Sequence, residues 1–151
     1  MQLVPRTRDE VRATLKVLPP DVRALISPQW LALLANSAPQ DSWVHGFHVV
    51  DDAGVTVGLG GFKGPPVDGI VEIAYAIQPE QQGKGHASAA ARALAAFAFA
   101  HREVRLVRAH TLPGGIASQR VLLKSGFEKI GEVVDPEDGV VWRFQLREVQ
   151  P

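Results

Sequence analysis

Apolar and polar residues alternate from Trp43 to Val50 and again from Val55 to Phe62, the period of half-buried strands. Trp43, His45, Phe47 and Val49 share one face of the first run. Asp51-Asp52-Ala53-Gly54 between the runs supplies the turn of a hairpin. Further strand-like runs cover Ile70 to Gln78, Val104 to Thr111, Phe127 to Val134 and Val140 to Leu146, and Gln2 to Pro5 is a short one. Asp135-Pro136-Glu137-Asp138-Gly139 is a turn joining the last pair. Thr7 followed by Glu10 fits a capping box and predicts a helix from Arg8 to about Leu18, ended by Pro19-Pro20. Asp21 caps a second helix, Val22 to Ile26. Ser27-Pro28 opens a third, running through Trp30, Leu33 and Leu34 to about Asn36. Ser37 to Ser42 reads as a polar loop. An alanine-rich helix covers Ala87 to about Ala100, with Leu94 and Phe97 as anchors, and its small side chains let it lie close to a sheet. A last helix covers Ile116 to Ser125, and Gly126 stands where a left-handed C-terminal residue is wanted. With no repeat or linker, residues 1–151 read as one compact α/β domain.

A chain of 151 residues with 46% hydrophobic and 21% charged residues is long enough and apolar enough to bury a core. Lys plus Arg and Asp plus Glu both number 16, so no excess of positive charge points to a nucleic-acid partner. Cysteine is absent, which excludes disulfides, thiolate zinc sites and a cysteine acyl-enzyme. No apolar run is long enough to span a bilayer and no signal core follows Met1, so no membrane partner is expected and the reading is a cytoplasmic protein. His45 and His48 fall on opposite faces of the expected strand, and His86, His101 and His110 have no ligand spacing. No metal is expected.

The run Gln82-Gly83-Lys84-Gly85-His86-Ala87 lies between the Ile70–Gln78 strand and the alanine helix. A glycine-rich turn there leaves backbone N–H groups free at the positive end of a helix dipole, a place that accepts a phosphate or pyrophosphate. The bland reading of the same turn is a tight strand–helix connection. The Lys-Ser/Thr pair of a Walker loop is missing. The acidic residue of a dinucleotide fingerprint has only Glu103 as a weak match.

The stretch from Pro79 to Ser88 resembles the pyrophosphate-binding motif of the GNAT acetyltransferase superfamily, with Gln82, Gly85 and Ala87 in its defining slots. A second block is similar to the family's later helix and its ending: Thr111-Leu112-Pro113, then Ala117-Ser118-Gln119-Arg120-Val121-Leu122, then Lys124-Ser125-Gly126-Phe127-Glu128. Glu72-Ile73-Ala74-Tyr75 and Ser118-Gln119-Arg120 look most like the branch that holds the ribosomal-protein alanine N-acetyltransferases. The resemblance implies the acyl-CoA N-acyltransferase fold: a mostly antiparallel mixed sheet of about seven strands, splayed between two parallel strands and flanked by helices. It implies acetyl-CoA as co-substrate. Amides of Gly83, Lys84, Gly85, His86, Ala87 and Ser88 would take the pyrophosphate, and backbone near Tyr75, Ala76 and Ile77 would pair with the pantetheine arm. A backbone N–H there would also stabilise the oxyanion of acyl transfer. Lys84 reads either as a phosphate contact or as a solvated loop lysine, and the Ser88 hydroxyl is a further candidate.

Amine acetylation needs a neutral amine, hence a base or a water relay. Glu72 shares a strand face with Ala74 and Ala76, opposite Val71, Ile73 and Tyr75, and is the candidate; the alternative is an exposed or salt-bridged carboxylate. Relatives use a tyrosine in the later helix to protonate the thiolate, but Leu122 fills that slot, and Ser118 resembles the serine of the ribosomal-protein branch. Gly115 stands where relatives carry an Asn that bonds the cofactor. Asp135, Glu137 and Asp138 border the acceptor entrance of relatives and would attract a cationic amine, or simply form the turn. Trp30, Leu33 and Leu34 belong to the other wall or to the core. The expected function is transfer of acetyl from acetyl-CoA to a primary amine, either a protein N-terminus or a small molecule, directly in a ternary complex. A weakly catalytic CoA-binding sensor is the alternative. The chain would act as a monomer or a homodimer.

Overall fold

Seven strands pair into one mixed sheet in the order β1-β2-β3-β4-β5-β7-β6. They are β1 (Gln2–Pro5), β2 (Phe47–Val50), β3 (Thr56–Phe62), β4 (Ile70–Ile77), β5 (Leu106–Thr111), β6 (Glu128–Asp135) and β7 (Gly139–Arg147). The helices are α1 (Arg8–Lys16), α2 (Pro20–Arg23), α3 (Pro28–Ala35), α4 (Ser42–His45), α5 (His86–Phe99) and α6 (Ile116–Lys124). The computed structural model describes residues 1–148. β4 and β5 run parallel, and every other neighbouring pair is antiparallel. This is the sheet expected from the sequence, within one to four residues at most element ends.

Local chemistry explains the element starts. Thr7 Oγ1 accepts the Glu10 N–H at 3.1 Å and opens α1; Ser27 Oγ accepts the Trp30 N–H at 3.3 Å and opens α3. Ala90, Ala91, Leu94, Ala95 and Ala98 are buried where α5 lies on the sheet. The methyl side chains let the helix approach, and Leu94, fully buried, contributes about 1.5–3 kcal/mol of apolar burial. Leu94 sits over Gly60, where an added Cβ would lie 3.2 Å from its Cδ1. Gly61, the next residue, turns the other way, toward Gly46. Val71 and Ile73 of β4 join the α5 side of the core with Val107, Ala109, Leu122 and Phe144. A second cluster joins Val11 and Leu15 of α1, Leu34 of α3 and Val44 of α4, with Trp30 and Leu33 packed against it. Trp30 Nε1 donates to the Val44 carbonyl at 3.0 Å, so these residues are core.

The alternation from Trp43 to His45 does not make a strand. Asp41 caps a helical turn instead, accepting the Trp43 N–H at 3.1 Å through its side chain and the His45 N–H at 2.8 Å through its carbonyl. Val44 and His45 are both buried in this turn. Trp43 packs edge-on against Phe62 and Phe97 at centroid distances of 4.8 and 5.4 Å. Gly46, at φ 70° and ψ −157°, redirects the chain into β2; that conformation is essentially confined to glycine. His45 and His48 therefore do not share a strand. His48 Nε2 lies 2.9 Å from Glu10 Oε1, whereas His45 is enclosed in the α3–α4 connection.

Both ring nitrogens of His45 are committed. Nδ1 accepts the Asp41 N–H at 3.1 Å, which puts the ring proton on Nε2, 2.8 Å from Ser37 Oγ. The Ser37 hydroxyl in turn donates to the Leu34 carbonyl at 2.7 Å. Burial holds the His45 pKa below the ordinary 6.5, against the opposing pull of Asp41. A histidine whose folded pKa is depressed binds more protons unfolded, so its stabilisation is complete above 6.5 and is lost as the pH falls below that value. Urea unfolding should accordingly show stability declining as the pH is lowered below 6.5, with a shallower decline in His45→Gln; parallel profiles for the two proteins would contradict the assignment.

Candidate functional site

The parallel ladder of β4 and β5 holds Ile70 to Leu106, Val71 to Val107 and Glu72 to Arg108, and then the strands part. β4 stays paired with β3 along Ile73 to Ile77. The Lys63 N–H donates to the Glu72 carbonyl at 2.9 Å and the Gln78 N–H to the Val57 carbonyl at 2.8 Å, so the even-numbered residues of β4 bond toward β3. Alternation then directs the backbone groups of Tyr75 and Ile77 into the gap beside β5, while Ala76 bonds toward β3. The Ile77 carbonyl is already taken by Gln82 Nε2 at 3.1 Å. Gln82 thus ties the following turn to the end of the strand, and its side chain bonds this chain itself.

A single helical turn, Pro79–Gln81, leads into that connection. Gly83 and Gly85 take φ of 78° and 82°, and an added Cβ at either would meet nothing within 4 Å. The turn is open and demands left-handed backbone, which glycine supplies. Gly85 stands at the N-cap of α5 with no side-chain cap. No backbone acceptor among the described residues takes the N–H groups from Gly83 through Ser88. They stand together at the positive end of a long helix, a ready anion site. Lys84 Nζ donates to Gln81 Oε1 at 3.2 Å and stays at the turn's surface. His86 is half-buried and Ala87 follows it in the first turn. Ser88 is buried where α5 meets α6, its carbonyl 3.4 Å from Ser125 Oγ, and its N–H belongs to the open turn.

Where the strands part, a cavity of about 170 Å³ is lined by Glu72, Ala74, Tyr75, His110, Ser118 and Leu122, with Lys63 and Asp138 at its rim. The structure therefore brings Glu72 and Ser118 to one cavity. Glu72 is not solvent-facing: its side chain is 17% exposed and Lys63 Nζ lies 3.3 Å from its Oε2. The same ammonium is 3.3 Å from Asp138 Oδ2. Burial opposes the charge on Lys63, but Glu72 and Asp138 outweigh it and push its pKa up. His110 Nδ1 lies 3.5 Å from Glu72 Oε1. A second, shallower cavity of about 300 Å³ is lined by Arg6, His45, Gly46, Leu59, Gly61, Ala74 and Ala76, and Tyr75 borders both. Ser118 is exposed on α6, and Leu122 is buried in the core. Gly115 lines neither cavity; it opens α6, and its N–H donates to the Leu112 carbonyl at 2.9 Å.

Sequence reasoning missed Lys63, His110 and Arg143. Lys63 follows directly on β3 and reaches across to Asp138, 75 residues away, so no local pattern announces the pair. His110 and Arg143 face each other across β5 and β7. The one available signal was that His110 lies two residues beyond Arg108 on the face of β5 that registers with Glu72. Gln119 was also missed: it is buried, and its Nε2 holds the Leu112 and Pro113 carbonyls at 3.0 Å each, fixing the loop before α6. Among the described residues no group of three or more His, Asp or Glu is placed to hold a metal, and no helix is long and apolar enough to cross a membrane.

The family model of the acetyltransferase (GNAT) domain matches residues 4–128. No curated protein matches the chain. Among solved structures, an acetyltransferase (GNAT family) from Bacillus anthracis is 23% identical at a TM-score of 0.59; the match covers 68% of this chain and 65% of that one. An aminoglycoside acetyltransferase in complex with coenzyme A and kanamycin is 21% identical, with 97% and 94% of the two chains covered and a TM-score of 0.73. A chimeric spermidine N-acetyltransferase from Vibrio cholerae and hSSAT is 17% identical, with 97% and 96% covered and a TM-score of 0.69.

Burial raises the pKa of the Tyr75 phenol from 10.0 to about 12, so it is neutral at physiological pH and still mostly neutral at pH 10.0. Tyr75 is the only tyrosine of the chain, so phenolate absorbance reads it alone. The folded protein should show little phenolate at pH 10.0, where an ordinary tyrosine is half ionised and where the urea-unfolded chain should titrate; a native midpoint near that pH would contradict its burial.

Proposed function

The chain belongs to the GNAT acetyltransferase family, and from that premise we propose that it transfers acetyl from acetyl-CoA to the primary amine of a small cationic acceptor, directly and in a ternary complex. The observation that carries this reading is the set of unpaired N–H groups from Gly83 through Ser88, placed at the mouth of the gap between β4 and β5. Their number and clustering fit a pyrophosphate: each charge-assisted bond would contribute on the order of 1.5–3 kcal/mol. The open edge at Tyr75 and the Ile77 N–H fits the amide-bearing pantetheine arm, which would pair with it as an added strand does. Bound there, acetyl-CoA supplies an activated thioester.

The chain's own groups do the rest. Glu72 accepts a proton from the acceptor ammonium and leaves the free amine as nucleophile. A strand N–H on the open edge of β4 offers a hydrogen bond to charge developing on the acetyl oxygen. Ser118, which lines the same cavity, would return a proton to the departing sulfur. The acceptor class follows from Lys63. Its ammonium already rests between Glu72 and Asp138, so this rim is built to hold a primary ammonium, and a substrate's own would take that place. Two solved neighbours accord with this: one is complexed with kanamycin and another is named a spermidine N-acetyltransferase. In this reading residues 1–151 would act as one domain, in the cytoplasm.

A second acceptor reading, a protein N-terminus, rests on the likeness of Glu72-Ile73-Ala74-Tyr75 and Ser118-Gln119-Arg120 to the ribosomal-protein branch. Gly115 and Leu122, which replace an asparagine and a tyrosine of relatives, favour the rival of a CoA-binding sensor with little catalysis.

Because the chain has no cysteine, a thiol reagent reports released CoA alone. Acetyl-CoA with a panel of diamines, polyamines, aminoglycosides and a peptide with a free N-terminus should give thiol release with the polycationic small amines. Glu72→Gln should lower kcat/KM at neutral pH by about 10²-fold or more. CoA binding without thiol release from any amine would favour the sensor, and full activity in Glu72→Gln would remove the base.

A further inference from the structure

His110 is buried, with its side chain 6% exposed, yet its two ring nitrogens are treated differently. Arg143 Nε donates to His110 Nε2 at 3.1 Å. A guanidinium only donates, so Nε2 must present its lone pair, and a neutral ring then carries its proton on Nδ1. Nδ1 is buried and has no hydrogen-bond partner. The acceptors nearest to it are Glu72 Oε1 at 3.5 Å and Asp135 Oδ1 at 3.9 Å. Asp135 is tied into its turn, with Oδ2 accepting the N–H groups of Glu137 and Asp138 at 3.0 Å each. Glu72 lines the cavity, and its oxygen is the closer of the two carboxylates to Nδ1–H. An unsatisfied buried N–H costs enough to draw it there.

We propose that His110 is the positioning residue for Glu72: a neutral imidazole, locked as the Nδ1–H tautomer by Arg143, that fixes one carboxylate oxygen so that the other faces the acceptor ammonium. The inference rests on the reading of Glu72 as the base. Lys63 lies against Oε2 and His110 against Oε1, so the two oxygens have separate neighbours. Exchange of Lys63 for a substrate ammonium frees the first oxygen while the second stays held. The charged groups around the ring are Glu72 from β4, Arg108 on its own strand, Arg143 from β7 and Asp135 from β6. Burial lowers the ring's pKa, Glu72 and Asp135 oppose the shift, and Arg143 and Arg108 add to it. The ring therefore stays neutral at physiological pH and donates without becoming a competing cation.

The test is the pH profile of kcat/KM with a polyamine acceptor for wild type, Glu72→Gln, His110→Ala, His110→Asn and His110→Gln, with the Kd for CoA measured alongside. Loss of the acidic limb in Glu72→Gln establishes the base independently of His110. His110→Ala should then lower kcat by about tenfold, the worth of one charge-assisted hydrogen bond, and move the acidic limb to higher pH as the carboxylate loses its donor, with the CoA Kd unchanged. Asn puts an N–H close to the position of imidazole Nδ1 and should restore the limb; Gln reaches toward the Nε2 position and should not. If Glu72→Gln loses the limb but His110→Ala leaves it in place, or if Asn and Gln behave alike, the positioning role is overturned while the base assignment stands.

Discussion

The parallel pairing of β4 and β5 stops after Glu72 meets Arg108, and the rest of the site depends on that interruption. Each strand keeps a full antiparallel partner on its outer side, β3 for β4 and β7 for β5, so the sheet opens without losing either strand. α5 covers one face with small side chains and Leu94, and α6 closes on it through Leu122. The opening leaves Tyr75 and Ile77 with backbone groups facing a gap. It also sets the turn after β4 at the gap's mouth. The glycines hold that turn in a conformation that uncovers its amides, and Gln82 pins it to the strand end.

Charges on the far face of the sheet from α5 are arranged around the same opening. Glu72 belongs to the last ladder pair, with Lys63 on one oxygen and His110 near the other. Asp138 and Asp135, from the β6–β7 hairpin, complete the rim. A chain with no net charge thus concentrates opposite charges in one partly dry place, where their interactions are stronger than at an open surface. Lys63 and His110 differ in consequence. The first is a half-exposed cation at the rim, paired with Glu72 and Asp138; the second is a buried neutral donor fixed by Arg143.

Most strands and helices were legible because capping residues, prolines and glycine turns mark their ends locally, whereas the pair of parallel strands came from the family resemblance. Glu72 on the same face as Ala74 and Ala76 followed from strand alternation alone. The failure at Trp43 to His45 shows the limit of that signal: two apolar residues and a histidine at alternate positions also suit a helical turn, and the Asp41 cap decided it. Lys63, His110 and Arg143 stayed hidden because each acts across the sheet, between positions far apart in the chain. The turn from Gly83 to Gly85 was readable from composition, but the freedom of its amides needed coordinates. So did the reach of Gln82 back to β4.

Backbone amide shifts on titration with CoA test the central claim most directly. The account predicts that the resonances of Gly83, Gly85, His86 and Ala87 move downfield together and saturate, with Tyr75 and Ile77 responding at the same concentration. CoA that fails to bind, or binds while the Gly83 to Ser88 amides stay in place, would contradict it.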